Sequence, residues 1–234
     1  MGSDMEAGNQ QRVGAVVVAA GGSRRMGGVD KVLALLAGKP VLAWVIDVFE
    51  SCDLITQVVV VVNEQSLEQC RRLVAEHGWL KVTDVCLGGR RRQDSVGAGL
   101  ARLSHCHWVV IHDGARPLLT EDLIYRGLNE ARETGAAVAA VPVTDTIKVA
   151  GDDRLVQQTP PRHNLWAVQT PQVFRFDIIK EAYRQAKREV TDDATLVEQL
   201  GYRVKLYMGA YDNIKITTPG DLVLAEVLWQ KHGR

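Results

Sequence analysis

Arg24, Arg25 and Lys31 crowd into one short stretch together with glycines at 21, 22, 27 and 28. Glycines let main-chain N–H groups approach an anion closely, and the cations neutralise it. That pairing suits a phosphorylated ligand. Two familiar phosphate loops do not account for it. A P-loop needs Lys and then Ser or Thr directly after its second glycine, whereas Gly27 is followed by Gly28 and Val29. The dinucleotide pattern G-x-G-x-x-G loses its middle glycine in Gly22-Ser23-Arg24-Arg25-Met26-Gly27, and such sites do not require paired arginines.

Other polar groups sit at the ends of apolar runs. His112-Asp113-Gly114-Ala115-Arg116-Pro117 offers a carboxylate suited to a metal, a ribose or a substrate hydroxyl, and an arginine suited to phosphate. An Asp–Arg pair that merely orders the loop is the plainer alternative. Gly88-Gly89 leads into Arg90-Arg91-Arg92-Gln93-Asp94-Ser95, where a helix start could read a base through backbone groups and Ser95, with Arg90 and Arg91 equally readable as a solvated face. Asp145-Thr146-Ile147-Lys148 and Arg162 are ordinary surface polar residues taken singly, and Thr170-Pro171-Gln172 punctuates a later strand. Thr191-Asp192-Asp193 reads first as a helix cap, and Asp212-Asn213-Ile214-Lys215 adds a late cation. The six histidines show no metal-ligand spacing, and no Ser-His-Asp or Cys-His arrangement stands out.

The elements that must carry these groups alternate strand and helix, the pattern of a mostly parallel sheet with helices on both faces. Val13–Ala20 is an unbroken small or β-branched run, as expected of an interior strand covered on both sides. Ligands of such sheets gather at the carboxyl ends of the strands. Helix follows over Pro40–Phe49, then strand Gln57–Val62, helix Ser66–His77, strand Lys81–Leu87, helix Ser95–Leu103 and strand Trp108–Ile111. A helix capped by Thr120 or Asp122 runs to Glu133 and leads to strand Ala136–Val141. The rhythm then breaks: Thr146–Val149 and Leu155–Gln158 read as a hairpin around Gly151-Asp152-Asp153, too small to have a core of its own. A second subunit is the simplest thing for it to pack on. Strand Trp166–Phe174, helices Asp177–Arg188 and Asp193–Leu200, strand Arg203–Met208 and helix Pro219–Trp229 complete the chain. The expectation is one domain over 13–234 with an arm at about 143–162, behind a disordered leader at 1–12.

Composition narrows the function. Lysine and arginine total 28, aspartate and glutamate 28, so the net charge is zero; this argues against nucleic acid or an acidic membrane as partner and leaves local clustering to make any anion site. No apolar run reaches transmembrane length. Cys52, Cys70, Cys86 and Cys106 are scattered without C-x-x-C spacing, and read as reduced, mostly buried thiols of a cytoplasmic protein.

Taken in order, the Ala-Ala-Gly-Gly-Ser-Arg-Arg-Met loop with Lys31, Gly88-Gly89 with Arg92 and Asp94-Ser95, Asp113-x-Ala115-Arg116-Pro117, Asp145-Thr146-Ile147-Lys148, Thr170-Pro171-Gln172, Thr191-Asp192 and Asp212-Asn213-Ile214-Lys215 form a series. It resembles the 2-C-methyl-D-erythritol 4-phosphate cytidylyltransferases of non-mevalonate isoprenoid synthesis, from about Val13 to the C-terminus. The resemblance implies an α/β, Rossmann-like nucleotidyltransferase fold with a protruding hairpin arm, and a homodimer joined through that arm. It implies CTP and a phosphorylated polyol as substrates, and Mg²⁺ or another divalent cation held mainly by the CTP phosphates. Residue by residue, it implies that Arg25 and Lys31 stabilise the transition state on the CTP phosphates and that Arg162 and Lys215 position the acceptor phosphate. Ala19, Ala20, Gly21, Gly22, Gly89 and Ser95 fall where the nucleotide is held. Asp113, Arg116, Thr146, Thr170 and Thr191 fall around the acceptor, some reaching in from the second subunit.

Three positions depart from the family pattern. Arg90 stands where an acidic residue is usual, Asp30 replaces the proline common before the lysine, and the stretch from Met26 to Lys31 is one residue short. Arg24–Lys31 alone resembles the loop of molybdenum-cofactor guanylyltransferases, but the later motifs do not. A cytidylyltransferase acting on ribitol 5-phosphate is the nearest rival, because the two acceptors differ little in charge or size.

Overall fold

The computed structural model describes residues 11–22 and 30–231, together with Gly233. Its elements run β1 (Val13–Ala19), β2 (Leu35–Leu36), β3 (Lys39–Pro40), α1 (Val41–Ser51), β4 (Ile55–Val62), α2 (Leu67–His77), β5 (Val82–Leu87), α3 (Arg92–Leu100), β6 (Trp108–Asp113), α4 (Glu121–Thr134), β7 (Ala136–Pro142), β8 (Val149–Ala150), β9 (Val156–Gln158), β10 (Trp166–Arg175), α5 (Phe176–Gln185), α6 (Asp193–Gln199), β11 (Lys205–Met208) and α7 (Pro219–Lys231).

Seven strands form one sheet in the order β11-β7-β10-β6-β1-β4-β5. β1 pairs in parallel with β4 and β6, while β10 alone runs antiparallel, against both β6 and β7. The reversal follows from the connection: β7 reaches β10 through the arm, with no crossover helix to bring the chain back to the same end. Val17 of β1 packs into one apolar core with Phe49 of α1 and Leu123 of α4, and Val16 into the other with Val96 of α3 and Leu196 of α6. Helices therefore cover both faces, which is why this strand is apolar at every position rather than at alternate ones. A third cluster, around Leu36, Val41 and Trp229, seats α7 against α1 and the β2–β3 ribbon.

Several boundaries differ from the sequence reading. β6 extends to Asp113, so that His112 and Asp113 pair in register with Val17 and Val18 instead of opening a loop. α3 begins at Arg92 rather than Ser95, because the Asp94 carboxylate turns back to accept the Arg91 N–H (3.1 Å). α5 stops at Gln185, short of Arg188. In the arm, strand pairing is confined to Val149↔Gln158 and Ala150↔Val156; Thr146–Lys148 lie outside it, and the Lys148 ammonium bonds the Thr159 hydroxyl (2.8 Å). Of the expected leader, residues 1–10 lie outside the described residues. Arg12 already belongs to the fold, donating its N–H to His107 Nδ1 (3.0 Å).

Candidate active site

The carboxyl ends of β1, β5 and β6 converge on one cavity of about 190 Å³. β1 delivers Ala19 and, beyond it, Ala20, Gly21 and Gly22. The turn after Asp30 delivers Lys31, whose ammonium leans over Gly21: a methyl group there would lie 3.3 Å from Nζ. The β5–α3 turn delivers Gly89, Arg90, Arg91, Arg92 and Ser95. A side chain on Gly88 would overlap both Ala20 and Ser95, so bare backbone is what lets this turn abut the end of β1. Ser95 then fixes the turn, accepting the Gly89 N–H (3.2 Å) and donating to the Arg91 carbonyl (3.1 Å). Asp113 ends β6, and Lys215 enters from the segment between β11 and α7.

Asp113 is the electrostatic centre. Its Oδ2 accepts from Lys215 Nζ at 2.7 Å, its Oδ1 from Arg92 Nε at 3.2 Å, and Arg116 Nε stands 3.6 Å away. Burial alone would raise its pKa, but the three cations hold it well below the usual carboxylate range. Arg92 turns its other edge to Asp193, with Nη1 to Oδ2 at 2.8 Å, and the Tyr183 hydroxyl donates to the second oxygen of that carboxylate. Asp193 is fully buried at the first turn of α6; burial outweighs its partners and raises its pKa. A continuous chain of charge thus runs Tyr183–Asp193–Arg92–Asp113–Lys215 from the α5–α6 layer into the cavity.

Behind Asp113 lies a second, neutral network. The Thr170 hydroxyl accepts the Asp113 N–H (3.0 Å) and bonds His112 Nδ1 (3.1 Å), while His112 Nε2 meets the Arg116 carbonyl (3.2 Å). These contacts close with a neutral ring protonated on Nε2. Burial lowers the His112 pKa from 6.5 to about 4. The unfolded chain therefore takes up this proton first, and stability falls as pH drops from 6.5 towards 4, by on the order of 3 kcal/mol from this group. Urea unfolding across that range should show the slope, and His112→Gln should remove it.

Placement of the expected site residues divides three ways. Ala19, Ala20, Gly21, Gly22, Lys31, Gly89, Ser95, Asp113 and Lys215 line the cavity together. Arg116 and Thr170 lie just behind it; the Arg116 guanidinium also donates to the Asn213 carbonyl (2.7 Å), so it serves the loop-ordering role weighed from the sequence. Thr146, Arg162 and Thr191 are exposed and are not among its described lining. Arg162 sits at the base of the arm with Nη1 donating to the Thr144 carbonyl (2.6 Å). Arg25 lies outside the described residues, as do Arg24 and Met26–Val29.

The sequence reading gave no site role to Arg92, Asp193 or Tyr183. A signal for Asp193 was present: it shares a helical face with Leu196 and Val197, and an aspartate on an apolar face demands a cation.

A strand-edge cavity walled by glycine backbone and cations is the arrangement anticipated from the motif series. Residues 13–231 match the family described as IspD, 2-C-methyl-D-erythritol 4-phosphate cytidylyltransferase. The chain belongs to this family. A relative of that name from Dehalococcoides mccartyi strain 195 is 54% identical, with 94% of this chain and 97% of the relative covered. Another from Alkaliphilus oremlandii is 45% identical over 93% of this chain and 95% of its own length. Among solved structures, the 2-C-methyl-D-erythritol 4-phosphate cytidylyltransferase of Thermus thermophilus superposes with a TM-score of 0.74 at 33% identity, covering 92% of this chain and 98% of that one. The 4-diphosphocytidyl-2C-methyl-D-erythritol synthase of Anaerococcus prevotii reaches 0.84 at 28% identity, covering 94% and 97%. Membership makes the chain a nucleotidyltransferase with the mixed, mostly parallel sheet of the cytidylyltransferase family.

Proposed function

We infer that the chain transfers CMP from CTP to 2-C-methyl-D-erythritol 4-phosphate, giving 4-diphosphocytidyl-2-C-methyl-D-erythritol and pyrophosphate. The observation that carries this reading is the meeting of Lys31 and Lys215, from opposite ends of the chain, around one cavity at the strand edge. The reaction is attack by a phosphate monoester oxygen on the α-phosphorus of CTP, with pyrophosphate leaving. A monoester's second pKa is about 6, so the acceptor is already dianionic at neutral pH and requires no general base. Repulsion between two anions, and charge building at phosphorus, are what oppose the step. The protein's task is positioning and electrostatic stabilisation.

Lys31, with Arg25, neutralises the α-phosphate as it becomes five-coordinate. The backbone at Ala19–Gly22 and Gly89, with Ser95, holds the nucleotide. Lys215 spends one N–H on Asp113, and the remaining two are available to the acceptor phosphate. Asp113, Arg116 and Thr170 build the acceptor side. A divalent cation such as Mg²⁺, held chiefly by phosphate oxygens, would supply charge screening for the leaving pyrophosphate; Asp113, the one carboxylate among the described residues lining the cavity, fits an ion with few protein ligands.

Arg162, Thr146 and Thr191 complete the acceptor pocket in a homodimer, the first two carried by the partner's arm. Val149, Leu155 and Val156 of the arm are exposed on the single chain, at 42%, 68% and 59%, as expected of a surface that docks on another copy. The domain spans 13–234, and the location is cytoplasmic. In support, all four cysteines are free.

Pyrophosphate release measured with each nucleoside triphosphate, Mg²⁺ and either methylerythritol phosphate or ribitol 5-phosphate tests the reaction: CTP with the former should be the fastest pair, and any other winner overturns the assignment. Arg162→Ala should raise KM for the acceptor about tenfold or more while leaving KM for CTP nearly unchanged. The opposite split would place Arg162 on the nucleotide.

A further inference from the structure

Asp30 immediately precedes the cavity lysine. Its Oδ1 accepts the Val32 N–H (3.2 Å), while its Oδ2 accepts from Asn63 Nδ2 (3.3 Å) and from the Ser66 hydroxyl. Its carbonyl accepts the N–H groups of Leu33 and Ala34, at 3.0 and 2.9 Å. Asn63 follows the last residue of β4, and its own side-chain carbonyl caps the Ser66 N–H (3.0 Å). The short turn that carries Lys31 is thereby fastened to the carboxyl edge of β4, the strand beside β1. Ser66 is buried, so one anchor of the tether is fixed by the core.

A lysine brings its charge to phosphate on a flexible four-carbon stem, and the point from which that stem springs decides where the ammonium can reach. Across the cavity mouth its neighbour is the Gly21 backbone, which belongs to the end of β1. Asp30 ties the turn that carries this stem to the sheet by its carboxylate.

We propose that Asp30 is a positioning residue for Lys31, its carboxylate clamping the lysine-bearing turn to Asn63 and Ser66 so that the ammonium is held over Gly21. This rests on the reading of Lys31 as the cation that stabilises the transferring phosphate. Removing the carboxylate leaves the carbonyl bonds of the turn and the burial of Val32 intact but removes the side-chain tie to β4 on the other flank of the lysine. Small displacements of a catalytic group cost as much as about a hundredfold in rate.

The test measures pyrophosphate release by Asp30→Ala, Asp30→Asn, Ser66→Ala, Lys31→Ala and the double variant Asp30→Ala/Lys31→Ala. Asp30→Ala should lower kcat about tenfold or more with the acceptor KM unchanged, and Ser66→Ala should lower it less, in the same direction. Asp30→Asn, whose amide oxygen can still accept one of these bonds, should recover part of the loss. Lys31→Ala should cost far less in the Asp30→Ala background than in the wild-type protein, because its ammonium is already misplaced there. An Asp30→Ala enzyme with wild-type kcat, or strict additivity in the double variant, overturns the clamp while leaving a crippled Lys31→Ala to uphold the underlying reading. A Lys31→Ala enzyme near wild type overturns both.

Discussion

Lys31→Ala lowers kcat at least about a hundredfold and leaves the fold intact, which is the largest catalytic effect expected of any single described residue. The reasoning is one of charge in a confined site. As the acceptor oxygen bonds to the α-phosphorus, negative charge grows on the equatorial oxygens, and a cation already in place stabilises it without reorganisation. A well-placed transition-state donor of this kind contributes about 3–4 kcal/mol. The cost of the substitution to stability is small, since Lys31 lies partly exposed on a turn whose backbone bonds run from Asp30. Steady-state pyrophosphate release together with a thermal melt separates the two. A folded Lys31→Ala enzyme turning over near the wild-type rate removes Lys31 from the chemistry.

Arg92→Ala destabilises the fold more than substitution of any other cavity cation among the described residues. The guanidinium bridges Asp113, whose side chain is 8% exposed, and Asp193, which is 1% exposed. Deleting it leaves the buried Asp193 with the Tyr183 hydroxyl but no cation among the described residues, and takes one of three cations from Asp113. Breaking such a buried pair from one side costs about 3–5 kcal/mol. In a chain of this size, that lowers Tm by roughly 10 °C, at about 2–4 °C per kcal/mol. The sign of the pH effect follows. In the wild-type protein Asp113 is held below its unfolded pKa, so its contribution is present above the ordinary carboxylate range and is lost as pH falls through it. Without Arg92 that contribution shrinks, while the Asp193 carboxyl, already raised by burial, loses the cation that opposed the rise; the variant's deficit should narrow in acid as Asp193 takes up its proton. Urea denaturation at pH 7 and pH 4 measures it. A variant as stable as wild type at neutral pH would show that the bridge carries no net stabilisation.

Much of this was legible in the residues. The apolar run at Val13–Ala20 announces a strand covered on both faces, and Val16 and Val17 do enter different cores. The glycines and cations that follow point to phosphate because few other ligands use both. What stayed hidden is instructive. Arg90, Arg91 and Arg92 are identical in type and adjacent, and nothing local distinguishes them; only where α3 begins turns Arg92 inward to two carboxylates from β6 and α6. Such a bridge joins segments far apart in sequence, and its geometry exists only once the sheet has assembled. The strand limits of the arm escape for a different reason: Thr146–Lys148 are exposed on every side, so no burial period marks where pairing starts. Thr170 reads only as a polar interruption of the strand Trp166–Phe174, yet its hydroxyl is buried against His112 and the Asp113 backbone.

The claim beneath all of this is that the cavity works by placing positive charge around two anions, with no protein group taking or giving a proton. The pH dependence of kcat with saturating CTP, Mg²⁺ and methylerythritol phosphate examines that directly. The cationic cavity favours the dianionic acceptor, so the only acid limb should lie at or below about pH 6, the acceptor's own second ionisation, with a level rate from about 6.5 to 8.5. A rate that instead climbs tenfold per pH unit through neutrality would reveal a protein base in the transition state and contradict the account.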